Sequence, residues 1–171
     1  MTGITFVELL AYNDSECSRW QEWFDRDPSA LTLPMGEEDR GMGTIHALLS
    51  HIFFCEHYYA VMLQDGTPDM AEMGRLYHAI MGKPVGELFR FGDAARHRLS
   101  DFAATANDEQ LNAPISIPYP PGHATTGSKR KFLAHVIVHS TRHLAQLATV
   151  LRQHRHKTDW EHDLMFCAAI E

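Results

Sequence analysis

Apolar residues recur at helical spacing over four separate stretches of the chain. The first runs from about Thr5 to Asp27, with Phe6, Leu9, Leu10, Trp20, Trp23 and Phe24 on its apolar side and Pro28 to end it. The second runs from about Thr44, a capping residue, to Gln64, where Asp65-Gly66 stops it. The third starts at Pro84, a favoured first helical residue, and continues to about Asn107. The fourth runs from the cap Ser128 to about His154, and a short fifth helix is expected after Asp159. Alternation suited to a strand occurs only at Ile115-Ser116-Ile117, and Pro114, Pro118, Pro120 and Pro121 enclose it, so it reads as a loop. The pattern predicts an all-α four-helix bundle occupying residues 1–171 as one domain. Its links, about 16, 19 and 20 residues, exceed the roughly 2–8 that join antiparallel neighbours. Such lengths permit crossovers along the bundle, and long loops can form the mouth of a pocket.

Composition narrows the class. Hydrophobic residues make up 44% of the 171, and the formal charge is −7, the wrong sign for a protein that coats nucleic acid. No apolar run approaches the roughly 18 residues that cross a bilayer. Asp14, Glu16 and Arg19 interrupt the segment where a signal peptide would carry its apolar core, so a cytoplasmic location is expected. Cys17, Cys55 and Cys167 are too few and too scattered for a disulfide framework or a cysteine-based zinc module. Twelve histidines stand against 15 lysines and arginines, spread from His46 to His162.

Helical rotation sorts those histidines. In the second helix the inward stripe reads Leu48, His51, Ile52, Cys55, Tyr59 and Met62, with His46 and His57 flanking it. In the fourth it reads Phe132, Val136, His139, His143, Leu147 and Val150. His139 and His143 stand one turn apart on one face, and two such imidazoles can chelate one ion, with a third from a facing helix completing the set. Spacing leaves the alternative open that each ring is held by hydrogen bonds alone. A di-iron carboxylate bundle is excluded because no Glu-x-x-His occurs, and the first helix lacks the histidine a haemerythrin-like site would want.

The segment His139-Ser-Thr-Arg-His143-Leu-Ala-Gln146, followed by Leu151-Arg152, resembles the fourth-helix motif of the DinB/YfiT-like metalloenzymes. Leu48-Leu49-Ser50-His51-Ile52, with Glu56 beyond, resembles that family's second-helix motif. Leu10-Ala11-Tyr12-Asn13 is similar to its first helix, and Asp163-Leu164-Met165-Phe166 to its C-terminal end. The order is kept along essentially the whole chain. One departure is Leu144, where relatives often carry arginine directly after the second histidine; here Arg142 precedes it.

The resemblance implies a bundle with up-down-down-up connectivity, a nickel or zinc ion on His51, His139 and His143, and a homodimer. Three protein ligands leave positions for water or substrate, which suits catalysis. Some relatives are transferases or isomerases that use a low-molecular-weight thiol as cosubstrate, so a small-molecule S-transferase or isomerase is expected; the alternative is a metal-stabilised or ligand-sensing protein without catalysis. No catalytic side chain is nominated. Cys55 is either a small buried residue or a fourth ligand. His135 and Gln146 flank the histidine pair, Gln146 being either a support for a ligand or a solvated residue. Lys129, Arg130 and Lys131 crowd a helix start, as a solvated terminus or an anion-binding mouth. Phe53, Phe54 and Tyr58 lie beside the inward stripe and predict an exposed patch that a dimer would cover.

Overall fold

The computed structural model describes residues 3–36, 42–119 and 122–170. It is mostly helical, in the order α1 (Phe6–Arg26), a 3-10 turn (Pro28–Thr32), α2 (Ile45–Gln64), α3 (Met70–Met81), α4 (Val85–Thr105) and α5 (Asp108–Asn112), then strands β1 (Pro114–Tyr119) and β2 (His123–Ser128), and α6 (Lys129–Gln153). A second 3-10 turn, Leu164–Phe166, stands where a fifth short helix was expected. The four long helices keep their predicted limits because their caps work. Thr5 and Glu8 form a reciprocal capping box, Thr44 Oγ1 accepts from Ala47 N–H, and Ser128 Oγ accepts from Lys131 N–H. Pro84 serves as the cap residue of α4, one position before the place expected for it.

The links carry more structure than their prolines and length suggested. Asp69 caps α3 by accepting from the N–H groups of Ala71 and Glu72. Ile115 to Ile117 belong to a strand, not a loop: β1 pairs antiparallel with β2, Ile117 opposite Thr125 and Pro114 opposite Ser128. A two-stranded sheet leaves one edge of each strand unpaired, and Pro114 and Pro118, of equal parity, turn their nitrogens to the same edge. Pro120 and Pro121 lie outside the described residues.

α1 and α2 each pack against α4 and α6. Lys129, at the start of α6, donates to the Leu63 carbonyl at the end of α2, so these two helices run in opposite directions. Phe53 of α2 meets Phe89 of α4 and Glu56 meets Arg96, so that pair runs the same way. Gly92 makes the close approach possible, since a Cβ there would collide with the Phe53 ring.

Apolar side chains form two clusters. One gathers Trp20, Phe24, Leu48, Phe53, Phe89 and Leu147; the other gathers Leu10, Leu63, Phe102, Phe132, Leu133 and Ile117. A buried polar layer ties the four long helices together. Arg96 Nε donates to Asp14 (2.8 Å) and Nη1 to Glu56 (3.0 Å), while Ser140 Oγ donates to the other Glu56 oxygen (2.8 Å). Asn13 Nδ2 donates to the Ile137 carbonyl, and Thr141 donates to Asn13. Burial pushes the Glu56 carboxyl above its ordinary pKa, and the adjacent guanidinium opposes that shift.

Two expectations about the faces need correction. The buried line of α2 passes through Leu49, Ile52, Phe53, Glu56, Ala60 and Leu63, whereas His51, Cys55 and Tyr59 are half-buried beside α6. The histidines therefore occupy the α2–α6 seam, not the centre of the core. The patch expected on α2 is also covered in part within the chain: Phe53 is fully buried, Phe54 and Tyr58 are partly buried, and Phe54 packs against Tyr77 of α3 with ring centres 5.0 Å apart.

Beyond α6 the chain turns at Arg155, whose φ is +64°, and runs back along α1. His156 meets Asp27, Arg26 pairs with Asp159 and Trp23 Nε1 donates to the Lys157 carbonyl. Trp160 Nε1 and His162 Nδ1 both meet the buried Glu16 carboxylate, and Tyr12 Oη donates to the His162 carbonyl. His162 stacks on Trp20, with ring centres 5.0 Å apart.

Arg96→Ala should cost about 3–5 kcal/mol of unfolding free energy at neutral pH, because it leaves the Glu56 carboxylate buried without its counter-charge. Without the guanidinium, the folded-state pKa of Glu56 rises further above its unfolded value. Protonation then favours the folded state, so the deficit should narrow as the pH falls. Urea denaturation at several pH values checks both; an equal deficit across the range would show that Glu56 is not the group left unpaired.

Candidate metal centre

The seam between α2 and α6 carries two facing rows of side chains at four-residue spacing. His51, Cys55 and Tyr59 follow one another on α2, and Lys131, His135, His139 and His143 follow one another on α6. Opposed helix directions bring His51 level with His139 and His143. The three rings lie 5.0, 5.1 and 4.4 Å apart between centres. One ligand nitrogen from each falls within 4.8 Å of the others, a group that could hold a metal ion.

His51 Nε2 and His139 Nε2 are 3.1 Å apart. Two nitrogens each about 2.0–2.1 Å from one ion stand about 2.9 Å apart at a right angle and about 3.4 Å apart at the tetrahedral angle. The spacing therefore fits two neighbouring ligands. His143 Nδ1 donates to Gln146 Oε1 at 3.0 Å, which fixes the tautomer and leaves Nε2 as the lone-pair nitrogen. Burial, with the neighbouring His143 and Arg142, lowers the His51 pKa to about 4. Burial, with His143, His51, His135 and Arg142, lowers that of His139 to about 3. Both rings are thus neutral at pH 7, the form that ligates. His139 Nδ1 is buried with no hydrogen-bond partner among the described residues. The donor set fits a borderline divalent ion such as zinc or nickel, and three nitrogens leave further positions open.

Other nominated residues divide. Cys55 Sγ sits 3.8 Å from His51 Nε2 but falls outside the converging group, and burial, with Glu56 beside it, pushes its thiol up to about 12. It is a protonated neighbour of the cluster. Gln146 has the supporting contact just described. His135 stands beside the cluster, its ring 5.9 Å from that of His139 and 5.4 Å from Tyr59. Lys129 is held by the Leu63 carbonyl and Arg130 by Asp108, which leaves Lys131 of the three basic residues. Arg142 faces a different cavity, an apolar groove of about 620 Å³ bounded by Leu9 and Tyr12 of α1, Val138 of α6 and Leu164. None of the three clustered histidines lines that groove.

Sequence reasoning passed over Asp14 and Arg96, which hold the layer beside the cluster. A signal existed for Arg96: it stands in the apolar row of α4 with Phe89, Gly92, Leu99 and Phe102, where a charge has to be paired.

Fold and cluster together define a helical protein compatible with metal binding through three histidines. The chain belongs to the DinB family: the family's profile matches residues 1–162. A search of curated proteins returns no match. The matched segment contains both histidine helices, and its last residue is His162, which the buried Glu16 holds. Tyr12 and Asn13 of the first-helix motif serve as ties, to the His162 carbonyl and to α6.

His143→Ala should abolish stoichiometric metal uptake and leave the helical circular dichroism spectrum unchanged, since the two apolar clusters and the polar layer are independent of that ring. Gln146→Ala should weaken uptake by about 10–100-fold, as loss of a ligand's hydrogen-bond partner typically does. Chelator competition measures the second effect, and global unfolding of His143→Ala would assign the ring a structural role instead.

Proposed function

We propose that this protein is a metal-dependent enzyme in which His51, His139 and His143 hold one divalent ion, nickel or zinc, and that it acts on a small molecule with a low-molecular-weight thiol as cosubstrate. The observation that carries the reading is the convergence of three imidazoles, one with its tautomer fixed by Gln146. An ion held there by His51, His139 and His143 would lower the pKa of bound water or hold a thiol as the thiolate. The chain's own residues supply the rest. Neutral His51 and His139 present lone pairs from partly exposed rings, and Gln146 orients the buried His143. The pairing of α1, α4, α2 and α6 into a closed ring supports a single-domain four-helix bundle with up-down-down-up connectivity, in which α3 and the hairpin occupy the crossover links.

Elemental analysis of untagged protein should find one ion per chain. A conjugation screen with mycothiol, bacillithiol and glutathione on the loaded protein should then show metal-dependent thiol consumption. Bound metal with no thiol turnover, and unfolding when the ion is chelated, would favour the non-catalytic, metal-stabilised reading.

We further propose a homodimer. The aromatic residues of α2 are buried or partly buried, whereas the exposed apolar side chains Val138, Met165 and Phe166 mark a region available for its surface. Light scattering at micromolar concentration should give twice the chain mass of 19.4 kDa. The single-chain mass would dispose of the dimer.

A further inference from the structure

The row of α6 that bears His143 and His139 continues one turn to His135 and a second turn to Lys131. There it enters a separate cavity of about 180 Å³, lined by Tyr59, Ile117, Thr125, Lys131, Phe132 and His135. The hairpin supplies the outer wall through the facing pair Ile117 and Thr125. Tyr59 closes the α2 side, with its ring stacked on Phe132 at 6.3 Å. His135 is the shared partition, a cavity wall whose ring lies 5.9 Å from that of His139.

The charge in this cavity is one-sided. Among the described residues no carboxylate lines it. Lys131 has no carboxylate or carbonyl partner among the described residues, in contrast to Lys129 and Arg130, and its Nζ lies 6.0 Å from the centre of the Phe132 ring. The hairpin is shaped around it. A Cβ on Gly127 would come within 2.9 Å of Lys131 Cδ and 3.3 Å of the Phe132 ring, so the glycine makes room for the lysine stem and the aromatic floor.

We propose that this cavity is a subsite for a carboxylate-bearing ligand, with Lys131 as the counter-charge, His135 as a second hydrogen-bond donor, and Tyr59, Ile117 and Phe132 holding an apolar middle. The proposal rests on the metal reading for the ligand's other end. Eight residues of helix separate Lys131 from His139, about 12 Å at 1.5 Å per residue. That axial offset, less the reach of the lysine side chain, makes the substrate class an elongated organic acid with its carboxylate remote from its reacting group. Lys131 is a specificity-determining residue in this scheme, outside the reacting set.

The test uses 4-phenylbutyrate and its uncharged partner 4-phenylbutanol, titrated into the full chain with and without zinc. Amide chemical shifts locate the binding. Phenylbutyrate should shift Thr125, Lys131 and His135 and bind at least about tenfold more tightly than the alcohol, a difference of about 1.4 kcal/mol. Lys131→Met should remove that preference and Lys131→Arg should keep it. Equal affinity for the two probes overturns the subsite, as do shifts confined to the groove beside Arg142. Zinc content, measured on the same samples, separates this result from the metal reading. Protein that takes up no zinc yet prefers the carboxylate keeps the subsite and loses the metal.

Discussion

A guanidinium stays charged wherever it is placed, and Arg96 places one in the interior. The positions around it follow from that constraint. Asp14 has to come from α1 and Glu56 from α2, and Glu56 in turn recruits Ser140 from α6. Apolar packing alone would tolerate sliding of one helix past another. A charge that must meet two carboxylates at hydrogen-bond distance does not, so the layer sets the register of all four long helices.

The histidine cluster depends on that register. Glu56 follows Cys55 on α2, and Ser140 follows His139 on α6, so the bond between Glu56 and Ser140 pins the two helices one residue from the seam. A slip of one turn would move His51 by about 5.4 Å, past the reach of a shared ion. Rigid backbone on both sides, with Gln146 orienting one ring, is the support a preorganised site needs. The cluster lies at the edge of the core, with His143 buried and His51 and His139 partly exposed.

Much of this was legible in the residues. Caps such as Thr5, Thr44 and Ser128 act locally, so the long helices could be read to within a residue or two. The three histidines could be nominated because a four-residue spacing fixes one face whatever the tertiary structure. What escaped were features that depend on partners. The stripe on α2 was read slightly out of phase because Glu56, a charged residue, marks the buried face only once Arg96 is known to oppose it. The hairpin was hidden because proline counts against a strand, and only a two-stranded ribbon with free edges removes that objection. The α3 helix is different: Asp69, Glu72, Met73, Leu76 and Ile80 carried a cap and a helical period that the length of the link obscured.

The strap formed by residues 156–162 has a consequence for the order of events in folding. It holds α1 through contacts more than 130 residues apart in sequence, and α1 otherwise leans on α4 and α6. During synthesis α4 can cover Phe24 through Phe89 once it emerges, whereas the Trp23 indole and the Glu16 carboxylate wait for their partners until the strap has emerged. Closure of so long a loop is entropically late and slow, so the strap's hold on the first helix is the last to form. The aromatic face of that helix is then the segment most in need of a chaperone while the chain is incomplete.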